Sequence, residues 1–209
     1  MDRPVTAAEL FDAIGSGYED VFGRAPAVDR AVRYLLRALP PSSRVLDIGS
    51  GTGKPVAEEL SSAGHRVTGL DVSPVMIDIA RERVPAATFV HADVREWTSP
   101  PETWEAVCAF FPFLQMPRKD TEAVLADIAR WLVPGGHFAL VTVPRDVENE
   151  SAEFFGRSFL VTSFAPEDLV RRVEAVGLEV TATHSEIFTA DEPGTPPEEH
   201  LLITARRPA

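Results

Sequence analysis

Val45-Leu46-Asp47-Ile48-Gly49-Ser50-Gly51-Thr52-Gly53 is the stretch on which the fold turns. A short apolar run from Arg44 to Ile48 reads as a buried strand, and it enters a loop with three glycines at alternate positions. Glycine tolerates positive φ and lets the backbone approach a ligand closely. In open α/β sheets ligands bind at the carboxyl ends of the strands, which is where this loop lies.

Two nucleotide fingerprints fail on this loop. A dinucleotide turn, G-x-G-x-x-G, needs a glycine where Lys54 stands. A P-loop needs Ser or Thr after Gly53-Lys54, and Pro55 follows instead. What remains is G-x-G-x-G preceded by an acid, Asp47. A second predicted strand ends at Asp71, 20 residues after Gly51, and a third ends at Asp93. Asp71 is placed to accept hydrogen bonds from two ribose hydroxyls. Asp93 is placed to accept from an adenine amino group. Three acids after three successive strands suit a ribose, an adenine and a cationic centre, and repel a pyrophosphate.

The rest of the chain keeps the same rhythm. A helix to about Ala63 is followed by a strand over Arg66–Leu70, a helix over Pro74–Arg83 and a strand over Ala87–Val90. Glu105–Phe110 reads as a strand, Asp120–Leu132 as a helix and Phe138–Val143 as a strand. Alternation of this kind gives a doubly wound α/β fold with a parallel sheet. Late in the chain a helix over Pro166–Val176 leads to strands over Leu178–Phe188 and Leu201–Ala205. The loop between those two strands is too short for a helix, so they pair antiparallel. The expectation is one domain over 1–209 with a seven-stranded, mostly parallel sheet containing one antiparallel strand, at the end of the sheet. Residues 1–40 form an N-terminal helical cap, and 144–165, long for a loop, form a lid or substrate segment.

The composition narrows the function classes. With 32 acids against 20 bases the formal charge is -12, which disfavours nucleic acid and anionic membrane surfaces as partners. The single cysteine, Cys108, excludes an intrachain disulfide and a thiolate metal cluster. No run approaches a membrane span, and Met1-Asp2-Arg3-Pro4 is not followed by an apolar run of the signal-peptide kind. A cytoplasmic location is expected, and no metal site is apparent.

The ordered segments Val45–Gly53, Val67–Arg81 and His91-Ala92-Asp93-Val94 resemble the successive cofactor-binding motifs of class I S-adenosylmethionine (SAM)-dependent methyltransferases. Trp104-Glu105-Ala106-Val107 resembles the family's fourth strand, with Glu105 where Asp is more usual. Leu132-Val133-Pro134-Gly135-Gly136 resembles its turn before the fifth strand, and Phe11 through Tyr18 its covering N-terminal helix. The resemblance implies SAM as cofactor. It places Gly49 and Gly51 under the methionine part, with Asp47 near its amino group. It gives the ribose to Asp71, the flanks of the adenine to Val72 and Met76, and the adenine edge to Asp93 and Val94. Phe110 falls near the transferred methyl, and Tyr18 over the methionine carboxylate. The reaction implied is methyl transfer to an O or N atom of a small-molecule acceptor. The alternatives are a SAM-binding fold that catalyses a non-methylating reaction, and a non-catalytic partner protein.

A catalytic base is not evident. His65, His137 and His200 are expected on the side away from the cofactor, His184 mid-strand, and His91 near the adenine. Tyr18, Gln115 and Arg145 are the candidates for acting on the acceptor, Gln115 by orienting an oxygen and Arg145 by holding an anion. Seven of the twelve phenylalanines fall within 110–113 and 154–164, which predicts an aromatic-walled acceptor pocket.

Overall fold

A computed structural model describes residues 3–17, 25–190 and 196–209. Two helices precede the sheet, α1 (Ala7–Ile14) and α2 (Pro26–Ala38). The core then alternates β1 (Arg44–Ile48), α3 (Val56–Ser62), β2 (Arg66–Asp71), α4 (Pro74–Arg83) and β3 (Thr88–His91). It continues through β4 (Trp104–Phe110), a 3₁₀ turn (Pro112–Gln115), α5 (Arg118–Trp131) and β5 (Leu132–Thr142). After a hairpin, β6 (Val147–Phe154) and β7 (Arg157–Ser163), the chain ends with α6 (Pro166–Ala175), β8 (Glu179–Phe188) and β9 (Glu198–Arg206).

Seven strands form one sheet in the order β3-β2-β1-β4-β5-β9-β8. Five pair in parallel, and β9 runs antiparallel to both of its neighbours. The reversed strand is therefore internal, and the edge strand β8 runs with the others. Order reverses at β1, so β1 and β4 leave a crevice between their carboxyl ends.

Side-chain alternation divides the core into two layers. Leu46, Ile48, Val107 and Ala109 face α5 and α6, joining Ile128, Trp131 and Val173. Val45, Ala106 and Cys108 face the other way, joining Val32 and Leu35 of α2 and Leu60 of α3. Such fully buried aliphatic side chains stabilise by about 1.5–3 kcal/mol each relative to exposure. Asp47 lies on the second face, in register with Cys108 of β4. Among the described residues no helix is long and apolar enough to cross a membrane.

Residues 147–163 are the main departure from expectation. In place of a loop they form the two-stranded sheet of β6 and β7. Val5 bridges to Phe159, and Leu10 of α1 packs with Phe159 and Val161 in a small separate core. Arg118 ties the base of the hairpin by donating to the Ser163 carbonyl at 2.8 Å and the Asp146 carboxylate at 2.5 Å. The hairpin thus carries α1 on its apolar face.

Candidate functional site

The carboxyl ends of β1, β2 and β4 open into a cleft roofed by Ala7 and Phe11 of α1. The glycine loop forms its floor because two glycines do what no other residue does there. Gly49 has φ +74°, and a Cβ on it would come within 2.7 Å of Pro112. Gly51 has φ +52°, and a Cβ there would meet nothing within 4 Å. The loop is therefore pressed against the 3₁₀ turn at Gly49 and bare at Gly51.

Asp71 ends β2 under this loop. The Gly51 N–H donates to Oδ2 at 2.8 Å, and the Ser73 N–H donates to Oδ1 at 2.9 Å. The Val72 N–H acts on the carboxylate as well, and lone-pair capacity remains for a further donor. Burial raises the Asp71 carboxyl above its usual range, while the backbone N–H groups of Ser73 and Gly51 oppose the rise. Ser73 caps α4 by accepting from Met76 N–H at 3.0 Å, and its hydroxyl donates to Asp12 of α1 at 2.6 Å. That last contact fastens the roof to the floor, and sequence reasoning missed it because the covering-helix motif gives Asp12 no partner and Ser73 is 61 residues away.

Asp47 is only 2% exposed. The Cys108 thiol donates to Oδ1 at 3.4 Å, while Oδ2 is buried with no partner among the described residues. Burial pushes its carboxyl up to about 7, the Cys108 contact lowers it, and the charge of Asp71 raises it further. An acid held this way inside a cleft lacks a cation or donor. The Cys108 thiol, buried beside it, is raised well above its ordinary value and is no nucleophile.

The other predicted cofactor residues gather at the same cleft. Val72, Met76, Asp93, Val94 and Phe110 line it, and Asp47, Gly49, Gly51 and Asp71 complete the set. Tyr18 lies outside the described residues. Asp93 is less open than expected. Arg95 grips both its oxygens through Nε at 2.9 and 3.0 Å, and donates its backbone N–H at 2.9 Å. The Arg95 guanidinium holds the Asp93 carboxyl below the usual range. Arg95 thus makes two contacts on each Asp93 oxygen, and Asp93 orders its own turn.

Of the acceptor-side candidates, Gln115 lines the cleft, and its Oε1 is buried with no partner among the described residues. Arg145 does not line it. Its guanidinium is bonded to Glu150 on the hairpin. The aromatic-wall expectation holds only in part. Phe110 and Phe111 line the cleft, but Phe113 and Phe164 lie in the main core and Phe159 in the α1–hairpin core. Phe154 packs against Phe159, and Phe155 is exposed. The hairpin spends its aromatic side chains on the back of α1, and α1 turns its own Phe11 to the cleft.

One histidine is misplaced by the sequence reading. His200 was expected away from the cofactor end, as a residue at the start of a strand. Because β9 is reversed, its start lies at the carboxyl edge, where Leu201 pairs with Thr142 at the end of β5. His200 is fully buried there, and its ring centroid is 4.8 Å from that of Phe111.

A buried carboxylate with one unpartnered oxygen, a bare glycine floor, and a second carboxylate preset by backbone donors have the chemistry that the amino acid and ribose of SAM call for. Comparison with known proteins agrees. A methyltransferase-domain family model matches residues 45–136. The methyltransferase GfsG of Streptomyces halstedii is 31% identical over 127 residues, 57% of this chain and 45% of that protein. The malonyl-[acyl-carrier protein] O-methyltransferase of Serratia marcescens is 33% identical over 139 residues, 65% and 51% of the two chains. The chain spans about half the length of these curated relatives or less. Among solved structures, a DhpI–SAH complex superposes with a TM-score of 0.70 at 26% identity, covering 96% of this chain and 95% of that one.

Proposed function

We propose that this chain, whose residues 45–136 match a methyltransferase-domain family model, is a class I SAM-dependent methyltransferase that transfers a methyl group from SAM to an O or N atom of a small-molecule acceptor seated in this cleft. The observation that carries the reading is the pair of acids under the glycine loop, Asp71 held by two backbone donors and Asp47 buried with an open oxygen. Asp71 would take the ribose hydroxyls and Asp47 the cationic methionine end. Gly49 and Gly51 would pass beneath the methionine part. Val72 and Met76 would flank the adenine, with Asp93 and Val94 at its edge and Phe110 near the methyl. When bound, the cofactor supplies an electrophilic sulfonium methyl.

The chain's own contribution is placement and dryness. Phe11, Val28, Phe111, Pro112 and Met116 give the cleft apolar walls, which exclude water and favour a compact acceptor. Gln115 Oε1 accepts an O–H or N–H of the acceptor and turns it toward the methyl. Alignment of this kind supplies about 7–11 kcal/mol of barrier reduction. The named acceptor of the Serratia relative is an acidic thioester, yet the cations lining this cleft, Lys54 and Arg95, are each ion-paired, Lys54 with Glu58 at 2.8 Å and Arg95 with Asp93 at 2.5 Å. That favours an acceptor without a carboxylate.

The test is a screen of small hydroxyl and amine compounds with methyl-labelled SAM. Label transfer to a compound, reduced in Gln115→Ala with SAM affinity kept, is the expected result. Absence of transfer to any compound by a protein that binds SAM would favour a non-methylating role.

A further inference from the structure

The two ends of the glycine loop carry opposite charges. Asp47 stands near the end of β1, and Lys54 follows Gly53, where the loop gives way to α3. Both line the cleft, as do Pro55 and Val56 beyond them. An amino acid binds as a zwitterion. A site that offers an acid to its amino group must also offer a cation or donors to its carboxylate. The need is acute in this cleft, because Asp47, Asp71 and Asp93 all line it and the whole chain carries a formal charge of -12. An anion entering among three acids is repelled unless a cation stands close to it.

Among the described residues two cations line the cleft, Lys54 and Arg95. Arg95 is committed. Its backbone N–H and guanidinium grip both Asp93 oxygens, and Nη1 lies 3.5 Å from the Asp120 carboxylate. Lys54 is held more loosely, with Nζ 2.8 Å from Glu58 Oε1 one helical turn on. The two side chains are 37% and 43% exposed, so the pair contributes little. Lysine ahead of glutamate is also the weaker order for such a pair. The flexible lysine stem can carry its ammonium over the loop and leave Glu58 to water. Arg95 cannot move without stranding Asp93.

We infer that Lys54 exchanges Glu58 for the methionine carboxylate of SAM, and so selects a cofactor whose amino acid is complete. This rests on the SAM reading of the cleft. Asp47 and Lys54 then form a pair of opposite charges matched to one zwitterion, at the two ends of the loop that passes beneath it. With Lys54 so engaged, neither cleft-lining cation among the described residues is left for the acceptor, in keeping with an acceptor that lacks a carboxylate.

The probes are SAM and its decarboxylated form, which keeps the sulfonium and the amine and lacks only the carboxylate. Each is titrated by calorimetry, with no acceptor present, into wild type, Lys54→Met, Lys54→Arg and Glu58→Gln. The inference predicts that wild type binds SAM about tenfold tighter than the decarboxylated form, the low end for a hydrogen bond to a charged group. Lys54→Met should lose that preference through weaker SAM binding alone, and Lys54→Arg should keep it. Glu58→Gln, which frees Lys54, should tighten SAM about twofold and leave the decarboxylated form unchanged. Unaltered binding of the decarboxylated form shows that the Lys54→Met protein folds. A wild type without preference, or a preference that survives in Lys54→Met, would overturn the inference. Should Lys54→Met bind neither compound, Glu58→Gln decides, and an unchanged SAM affinity there would overturn it too. Failure of wild type to bind either compound would instead remove the methyltransferase reading beneath it.

Discussion

At the scale of single residues, the two carboxylates under the glycine loop differ in environment, and on the proposed reading that difference divides their work on one ligand. Asp71 is buried but satisfied by Gly51 and Ser73, so it is fixed before a sugar arrives. Hydrogen bonds to a charged group contribute about 1.5–3 kcal/mol. Asp71→Ala should therefore weaken S-adenosylhomocysteine binding by about 10- to 100-fold, read by calorimetry. Asp47 is buried and unsatisfied, with its carboxyl pushed up to about 7. In the unfolded chain it titrates near 4, so between roughly pH 4 and 7 the folded state holds a proton that the unfolded state has lost. Its contribution to stability is fully present below that window and is lost as pH rises through about 7. Asp47→Asn should remove this loss, raising the stability of the ligand-free protein at pH 8 by at most roughly 4 kcal/mol. A cationic ligand reverses the preference by favouring the ionised form. Binding should then release a proton near neutral pH and tighten from pH 6 to 8 in wild type but not in the variant, as calorimetry in buffers of different ionisation heat would report. The positions of Asp47 and Asp71 at the cleft were legible because both belong to apolar strands that end beside a glycine turn. His200 was not, since its side of the sheet depends on a strand reversal that pairing, rather than local pattern, decides.

At the scale of elements, the roof is the part most open to test. Leu10 is fully buried, but its core holds only Phe159 and Val161 as buried companions. Leu10→Ala should cost about 2 kcal/mol, the low end for such a change, because so small a cluster relaxes readily. The loss should be local. Hydrogen exchange should quicken across 5–14 and 147–163 while β1 and β4 stay protected, and ligand affinity should fall because Phe11 and Asp12 lose their station. Exchange that quickened equally in β1 would show that the roof and the sheet unfold together. The α4 helix was read to its ends, since Ser73 caps it and Pro74 suits its first turn. The hairpin escaped notice. Glu148, Asn149, Glu150 and Ser151 are exposed on β6, so that strand lacks the apolar alternation by which a half-buried strand is recognised.

At the scale of the molecule, the alternation of two periods was enough to give a doubly wound sheet with one reversed strand, though that strand is internal rather than at the sheet's end. It was not enough to place the phenylalanines. Clustering in sequence suggested one aromatic pocket, whereas the fold sends Phe164 to the main core, Phe159 to the roof and Phe110 and Phe111 to the cleft. Which surface an aromatic side chain covers is a tertiary fact, and α1 supplies the surface that covers Phe159. The account as a whole stands on the cleft being an adenosine-and-methionine site. Calorimetric titration of the wild-type chain with S-adenosylhomocysteine, with a nicotinamide dinucleotide as the control, tests that most directly. Saturable one-to-one binding of S-adenosylhomocysteine and none of the dinucleotide is the predicted result, and the reverse preference, or no binding of either, would contradict it.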